Sequence, residues 1–501
     1  MGRGGDRLSE LPDDLLRRIL HFAPLKQAAS TTALSRRWRT PLWPSSGAVN
    51  LETGADRARF FSAARAALDA ADVRVTRLTL RLDSKSTILV DAVLSYQAAR
   101  RVKELRLVAK DPSDYYPKYL YTLTVDSLPL KTLRFLQLTK CNGFLYKTEA
   151  AALVLPRLSS LRLSRCSHRL SSLQRFIDAA PALAAIRLHH VIIDATDKDG
   201  ANLPLSPTTR CFVCPAATVL VLDSCTWEEK IRRRNDCTSI YYHTVTVDVL
   251  GVEINAPRLR RFKYKGLLRS FSFSTRPLEL EQVDLDFSGP DYKRKKLDPD
   301  PDRDLAIFWR FVGNFTSTRE MRLRVKHLEE IAVLSEARRV ELLPMFRRLQ
   351  RLEVQGAPST KGKSAPLAIL NLLRCCPVLS ALRINLATKN QNDAPKKEGA
   401  PDARNPQKEI QVAALLGPSH HFQGLRSSLR RVALRFRLEK SDCLGIKLMK
   451  FFAENAMVLE EMRIDGGEEK FCEHMNPRTE KWNSKRRKLG ATSFVVLPLK
   501  R

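Results

Sequence analysis

The first pattern in the chain is a pair of short amphipathic segments near the N-terminus. Apolar residues recur at i, i+4 spacing over Leu15–Leu20, and Leu11-Pro12 stands where proline is tolerated at a helix start. A second segment, Ala28–Ala33, is rich in small residues. The spacing predicts two packed helices, the first with a single apolar face made of Leu15, Leu16, Ile19 and Leu20.

An aromatic residue with basic neighbours follows these helices. Leu34 and Trp38 lie four positions apart and so share a helix face, with Arg36 and Arg39 beside them. A module this short cannot bury all of these apolar groups by itself. We therefore expect a partner surface to cover part of it.

These residues, in this order, closely resemble the F-box, the adaptor-docking module of cullin-type ubiquitin ligases. The resemblance covers residues 6–46 and departs from the family at Ala23 and at Thr40-Pro41. It implies that the module docks on a Skp-type adaptor, which joins it to a cullin scaffold and a RING subunit. The implied adaptor-binding residues are Leu11, Pro12, Leu15, Ile19, Leu20, Leu34, Arg36 and Trp38.

Beyond residue 70 the chain repeats a leucine pattern. Five segments fit L-x-x-L-x-L closely, and three of them continue to a cysteine at Cys141, Cys166 and Cys225. This is the leucine-rich-repeat pattern, in which each unit supplies one strand of a parallel sheet. The five begin at Val102, Leu133, Leu158, Leu183 and Ala217, and looser units begin at Leu259, Leu280, Leu349, Leu379, Leu429 and Leu459.

The repeats predict an α/β fold, an irregular solenoid of parallel strands over residues 47–440 with helices or irregular segments on the convex side. Proline stands two residues before the first leucine in several units, where it ends the preceding helix or turn. Polar insertions are expected near 288–304, 356–366 and 388–409, because these stretches have too few apolar residues to be ordered by burial.

The C-terminal residues 441–501 resemble the FBD region that follows the repeats in plant F-box proteins, grass members in particular. We interpret them as a cap on the last repeat together with a basic tail. The run Lys485, Arg486, Arg487 and Lys488 is similar to a nuclear import signal, as is Lys293–Lys296, although such runs also arise as solvated faces in a basic chain. The sequence is compatible with a location in the nucleus, in the cytoplasm or in both.

Composition adds a charge of +32, from 86 basic and 54 acidic residues in a chain of 501. The charge fits either a solvated repeat surface or a positive field that attracts acidic partners. The basic residues are spread along the whole chain, which favours the solvated repeat surface. No apolar run is long enough to span a bilayer. The N-terminus lacks the apolar region of a signal peptide, so the ten cysteines are expected to be free thiols in a reducing compartment.

The sequence contains no convincing motif for catalysis or metal binding. Cys211-x-x-Cys214 has no second close pair, His189-His190 and His420-His421 lack a zinc-protease context, and no phosphate loop or nucleophile elbow occurs. We expect no enzyme activity, cofactor or metal.

The function that the resemblance implies is target recognition in an SCF-type ubiquitin ligase, with the repeats holding an unknown target protein. The alternatives are a repeat protein that binds an acidic partner without ubiquitination and, as a weaker option, a nucleic-acid-associated protein.

Overall fold

In a computed structural model, the chain forms two compact units, residues 1–257 and 258–501. The described residues are 11–33, 42–53, 56–71, 75–82, 87–109, 121–147, 153–195, 211–234, 242–248, 251–288, 301–358, 364–386, 423–436, 444–465 and 471–499.

The first unit begins with a small helical module. Helix α1 spans Asp13–Leu20, helix α2 spans Leu25–Ser30, and a 3₁₀ turn follows at Thr31–Ala33. Leu16, Leu20 and Ala28 form its core. Four partly buried side chains pack around that core: Leu11, Ala23, Leu42 and Trp43.

A parallel sheet follows the module and carries the leucine repeats. Each strand pairs in register with its neighbour, so that Leu105 lies beside Leu136 and Leu136 beside Leu161. Among the described residues, the strands of the first unit in this sheet are β1 (Ala48–Glu52), β2 (Arg77–Leu82), β3 (Glu104–Ala109), β5 (Phe135–Thr139), β7 (Ser160–Ser164), β9 (Ala185–His189) and β12 (Val219–Asp223).

Side chains alternate along these strands between the core and the opposite face. In β7, Leu161 and Leu163 are buried while Arg162 is exposed. The leucine that opens each unit is buried as well, as Leu133, Leu158 and Leu183 are. The L-x-x-L-x-L pattern therefore marks core positions, and the predicted α/β repeat fold is confirmed.

Proline before the first leucine sits in a turn. The amide N–H of Leu183 donates to the Ala180 carbonyl at 3.0 Å, which places Pro181 at the second position of a four-residue turn. The fixed φ of proline favours that position. Pro156 stands in the same place between Leu155 and Leu158.

A second sheet runs along the ends of the repeat strands in the first unit. Its strands are β4 (Tyr121–Thr124), β6 (Cys141–Leu145), β8 (Ser167–Arg169), β10 (Ile192–Asp194), β13 (Thr226–Arg234) and β14 (Tyr242–Asp248), with β13 and β14 antiparallel. A further parallel pair joins β11 (Cys211–Val213) to β15 (Gly251–Asn255). The helices of this unit after α2 are α3 (Arg57–Ala70), α4 (Thr87–Leu94) and α5 (Leu170–Asp178).

The chain enters the second sheet through a sharp bend. The residues Lys140, Arg165, His190 and Ser224 each have a φ between 51° and 59°. Each directly precedes a buried residue at the start of the next strand or turn: Cys141, Cys166, Val191 and Cys225. The repeat thus places a left-handed residue before its cysteine position, as a turn of the main chain requires.

The second unit continues the same repeat. Its parallel strands are β16 (Arg261–Lys265), β18 (Gln282–Asp286), β19 (Glu320–His327), β20 (Arg351–Ala357), β21 (Ala381–Asn385), β22 (Arg431–Arg435), β23 (Glu461–Asp465) and β24 (Val495–Pro498), with β17 at Ser270–Phe273. Its helices are α6 (Pro301–Gly313), α7 (Glu336–Leu342), α8 (Ala365–Arg374), α9 (Gln423–Ser428), α10 (Leu444–Asn455) and α11 (Phe471–Lys488).

An aromatic cluster fills the core between β16, β17 and α6. The rings of Phe262 and Phe315 stack with centroids 5.2 Å apart, and the ring of Tyr264 meets those of Phe271 and Phe311 at 5.1 and 5.5 Å. Large rings in offset or edge contacts bury much apolar area and anchor the start of this unit.

Two predicted boundaries need correction. The insertion expected over 288–304 ends earlier, because residues 301–304 form the first turn of α6, where Asp302 and Asp304 suit the positive end of the helix dipole. The repeat continues past the boundary expected at residue 440: β23 is the strand of the unit that begins at Leu459, and β24 adds one more parallel strand. Most of the stretch 356–366 belongs to β20 and α8 or lies outside the described residues, and 388–409 lies wholly outside them.

Candidate functional site

An exposed apolar stripe runs along α1 and the residues after it. Leu15 is 44% exposed, Ile19 is 46% exposed and Phe22 is 59% exposed. Their spacing of i, i+4 and i+7 places them on one side of the helix. A stripe of large apolar side chains in water marks a surface that another molecule covers.

The opposite flank of α1 holds the module together. Leu16 is fully buried and Leu20 is 3% exposed, both against Ala28. The single apolar face predicted for this helix is wrong, because Leu15 and Ile19 point away from the core that Leu16 and Leu20 build.

The helix is fixed at its N-terminal end by simple electrostatics. Pro12 takes the N-cap position, Asp13 and Asp14 occupy the first turn, and the Arg17 guanidinium lies 4.0 Å from the Asp13 carboxylate. Acidic groups at the first turn and basic groups at the last stabilise a helix. The stripe is thereby carried on a stable element.

The predicted adaptor-binding residues fall into three groups. Leu15 and Ile19 are exposed, as is Pro12, whereas Leu11 packs partly against the core. Leu20 supports the module from within and offers no surface to a partner, which corrects its assigned role. The remaining three lie outside the described residues: Leu34, Arg36 and Trp38. Phe22 was missed, although it stands seven positions after Leu15.

Phe22 links the stripe to the first repeat. The Arg77 guanidinium lies over the Phe22 ring, 4.7 Å from its centroid. Burial lowers the pKa of Arg77, and the charge of Arg106 acts in the same direction. The cation–π contact therefore holds a partly desolvated arginine at the junction between module and sheet.

Hydrogen bonds from β1 fix the same junction. The side-chain amide of Asn50 donates to the carbonyl oxygens of His21 and Ala23 at 3.0 and 2.9 Å. Arg17 donates through Nε to the Ser45 hydroxyl at 3.1 Å. These bonds satisfy carbonyls just after α1 and fix the stripe relative to the first repeat strands.

Two family profiles match this architecture. The profile of the F-box domain matches residues 8–40, and that of the leucine-rich repeats of FBD-associated F-box protein At5g56370 matches residues 90–224. The chain thus combines an F-box with leucine-rich repeats of the kind found in plant FBD-associated F-box proteins. Its F-box contains α1 and α2, and the matched repeats run from α4 to the end of β12.

Curated relatives come from Arabidopsis thaliana. A putative FBD-associated F-box protein is 53% identical over 9% of this chain and 25% of its own length. An F-box/FBD/LRR-repeat protein is 28% identical over 28% of this chain and 32% of its own length, so the chain spans a third or less of both. Another F-box/FBD/LRR-repeat protein is 21% identical over 91% of each chain.

The repeat cysteines of this F-box protein serve the backbone. The Cys166 thiol lies 3.6 Å from the Leu138 carbonyl of the preceding repeat and 3.3 Å from the Ser164 carbonyl. Cys225 reaches the Leu188 carbonyl in the same way at 3.5 Å. Burial raises the pKa of Cys166 to about 12, which keeps the thiol protonated at neutral pH.

Cys211 is the first residue of β11, and Cys214 follows the last one. Burial raises the pKa of Cys214 to about 12 and raises that of Cys211 less. Within the described ranges, no group of three or more His, Cys, Asp and Glu side chains is arranged to hold a metal ion. Among the described helices, none has the length and apolar character needed to cross a bilayer.

The basic run at 485–488 lies in the last turn of α11, and one of its members is buried. The Arg486 guanidinium donates to the carbonyls of Ala453 and Ala456 at 2.8 Å each, and to those of Met457 and Thr492 at 3.1 and 2.9 Å. It therefore caps the end of α10. A buried arginine is not displayed to an import receptor, so this placement does not support the transport interpretation for Arg486.

The outward face of the sheet in the second unit carries alternating charges. Arg324 lies 3.5 and 3.6 Å from the carboxylates of Asp284 and Asp286, and Arg322 lies 3.4 Å from that of Glu353. Arg322 and Glu353 are partly exposed, and ion pairs of this kind contribute little to stability. They do neutralise much of the positive charge on this face locally.

Proposed function

We propose that this F-box protein is the target-recognition subunit of an SCF-type cullin–RING ubiquitin ligase. The observation that carries the proposal is the exposed stripe of Leu15, Ile19 and Phe22 on a module that matches the F-box. In this proposal the stripe docks on a Skp-type adaptor, and the adaptor connects the chain to the cullin scaffold.

The repeats would act by holding a target. A subunit of this kind needs no catalytic group, because it brings a target lysine close to a thioester carried by another protein and so raises the effective concentration of the reactants. The junction made by Asn50 and Arg77 supports such a role, since it fixes the docking module relative to the first repeat strands.

The test is a double substitution in the stripe. Replacing Leu15 and Ile19 by Asp puts two charges into the contact and removes two apolar anchors, each worth about 2 kcal/mol where it is a hot spot. We expect the affinity for a purified Skp-type adaptor, measured by isothermal titration calorimetry, to fall at least tenfold.

A matched control separates docking from general damage. Leu278 and Val340 are 74% and 83% exposed and lie in the second unit, so the pair Leu278→Asp and Val340→Asp introduces the same charges elsewhere. The control should bind the adaptor as the wild type does. Unchanged adaptor affinity in a folded Leu15→Asp/Ile19→Asp protein would overturn the proposal.

A non-ligase protein that binds an acidic partner gives a different result. Such a protein would bind its partner and show no adaptor binding above background, in the wild type and in both variants alike. The same titration therefore separates the two functions.

A further inference from the structure

A depression lies on the outward face of the sheet in the second unit, over β20 to β23. It encloses about 390 Å³. That volume falls within the usual range for ligand sites, at its small end. The register explains it: one row across the strands reads Arg351, Ala381, Arg431, Glu461, and the next reads Glu353, Arg383, Ala433, Arg463.

Two alanines create the space. Ala381 and Ala433 occupy outward positions on neighbouring strands, diagonally across from each other. Their methyl groups leave room that longer side chains fill elsewhere on this face. Arg383 and Arg431 occupy the other diagonal, so that two exposed arginines border a small open floor.

The charges around the depression do not balance. Its lining holds five arginines and three glutamates. Arg351 lies 2.8 Å from the Glu320 carboxylate, and Arg463 pairs with Glu461. Arg322 lies between two carboxylates, 3.5 Å from that of Glu320 and 3.4 Å from that of Glu353.

The two diagonal arginines stand apart from that network. Among the described residues, neither Arg383 nor Arg431 takes part in an ion pair or a side-chain hydrogen bond, whereas every glutamate of the lining does. Two positive charges therefore lie close together without a partner in the described part of the chain, whereas the other three arginines of the lining each pair with a glutamate.

We infer that this depression binds an acidic peptide segment of the recruited target, with carboxylates that pair with Arg383 and Arg431. Arginine is the side chain best suited to a carboxylate, which it can bind through two parallel hydrogen bonds. The inference rests on the proposed function in that it names the class of target that the repeats hold.

The spacing of the arginines narrows the peptide further. Adjacent strands lie about 4.8 Å apart and alternate residues about 6.7 Å apart, which places the two Cα atoms roughly 8 Å from each other. In an extended peptide, side chains two residues apart lie on one side at about 6.7 Å. Acidic residues at i and i+2 therefore fit the pair of arginines.

The probe is a fluorescein-labelled peptide, Gly-Ser-Glu-Ser-Glu-Ser-Gly, with a second peptide in which both Glu are Gln. Binding to the full chain is measured by fluorescence anisotropy at low salt. We expect the acidic peptide to bind at least tenfold more tightly than the neutral one. Equal binding of the two peptides would overturn the inference.

The variant Arg383→Gln/Arg431→Gln tests the assigned residues. Both side chains are exposed, so the fold should be kept, and peptide affinity should fall at least tenfold. The matched control is Arg347→Gln/Arg426→Gln, which removes the same charge from exposed positions outside the depression. An equal loss in the control would mean that only the diffuse positive field acts, and would overturn the site.

Two further measurements identify the occupant and keep the two proposals apart. A single-stranded DNA oligonucleotide that binds through Arg383 and Arg431 while the acidic peptide does not would assign the site to nucleic acid and overturn the inference. Adaptor affinity is measured on the same preparations. A wild-type protein that binds the adaptor but not the acidic peptide would refute the peptide site alone, and a wild-type protein that binds the peptide but not the adaptor would refute the ligase role alone.

Discussion

His168 shows how the repeat core treats a polar side chain. It lies in β8, is 1% exposed and contacts the Phe144 ring with centroids 4.5 Å apart. Neither ring nitrogen has a hydrogen-bond partner among the described residues. Burial lowers the pKa of His168 from 6.5 to about 3, so the imidazole is neutral at physiological pH and packs as an apolar ring.

This histidine makes stability depend on pH. Between pH 6.5 and about 3 the unfolded chain binds a proton at His168 that the folded chain does not, so acid favours unfolding. Each pH unit in that window costs about 1.4 kcal/mol. We expect His168→Leu, which removes the group, to be at least as stable as the wild type at pH 8.

The measurement is urea unfolding of both proteins at several pH values from 8 down to 4.5. The difference in unfolding free energy should be constant above pH 7 and grow in favour of the variant below pH 6. A difference that does not change with pH would show that folding does not lower the pKa of His168.

Single residues also show what the sequence reveals. The cysteines at 141, 166 and 225 occupy the cysteine position of the repeat pattern, and all three are buried. The left-handed residues before them were not predicted, because Lys140, Arg165 and Ser224 are not types that favour that conformation. Their φ is imposed by the turn between two sheets, which depends on tertiary structure.

At the scale of elements, α1 shows the limit of periodicity. Each residue turns a helix by about 100°, so Leu15 and Leu16 point in different directions although both belong to the same apolar pattern. The pattern correctly predicted the helix but could not say that Leu16 faces the core and Leu15 faces solvent. That distinction depends on where α2 and the loop with Leu42 pack.

The C-terminal helix α11 offers a clean test at the same scale. The buried Arg486 guanidinium donates hydrogen bonds to four backbone carbonyls, while the neighbouring Arg487 is exposed. Since a hydrogen bond to a charged group is worth about 1.5–3 kcal/mol, Arg486→Ala should destabilise the protein by about 3 kcal/mol or more. Arg487→Ala should change stability by less than about 0.5 kcal/mol.

Chemical unfolding of the two variants beside the wild type measures this difference. Arg486→Lys should also lose most of the stabilisation that Arg486 provides. A lysine ammonium is a single point of charge and cannot reach several carbonyls at once, as the planar fork of a guanidinium does. Equal stability of the Arg486→Ala and Arg487→Ala proteins would mean that the buried guanidinium does not hold α11 to the end of α10.

At the scale of the whole molecule, the order of the repeats could be predicted from the sequence, but the pairing of charges on their surface could not. Leucine spacing marks core positions one strand at a time, so it extends to the last strands, where Met462 and Ile464 are buried as predicted. The net charge of +32 says nothing about pairing. Only the register shows that Arg322 lies beside Glu353 and pairs with it, while Arg383 lies between Glu353 on one strand and Ala433 on the other and borders the small floor of the depression.

The two proposed surfaces therefore differ in physical character within one chain. The stripe of Leu15, Ile19 and Phe22 is apolar, and its contact with an adaptor depends on buried area, which salt affects little. The pair Arg383 and Arg431 is exposed, and its attraction for carboxylates is screened as the Debye length falls from about 10 Å at 0.1 M salt to about 3 Å at 1 M.

Salt should consequently act on the two interactions in different ways. On raising NaCl from about 0.1 M to about 1 M, we expect adaptor affinity to stay within about twofold and acidic-peptide affinity to fall about tenfold or more, because only the second depends on exposed charges. Both are measured on one preparation, by calorimetry and by fluorescence anisotropy. The Arg383→Gln/Arg431→Gln protein serves as the control, since its residual peptide binding should respond to salt much less. A parallel fall in both affinities would mean that the positive field of the whole chain drives both contacts, and peptide binding that resists salt would place the peptide on an apolar surface instead.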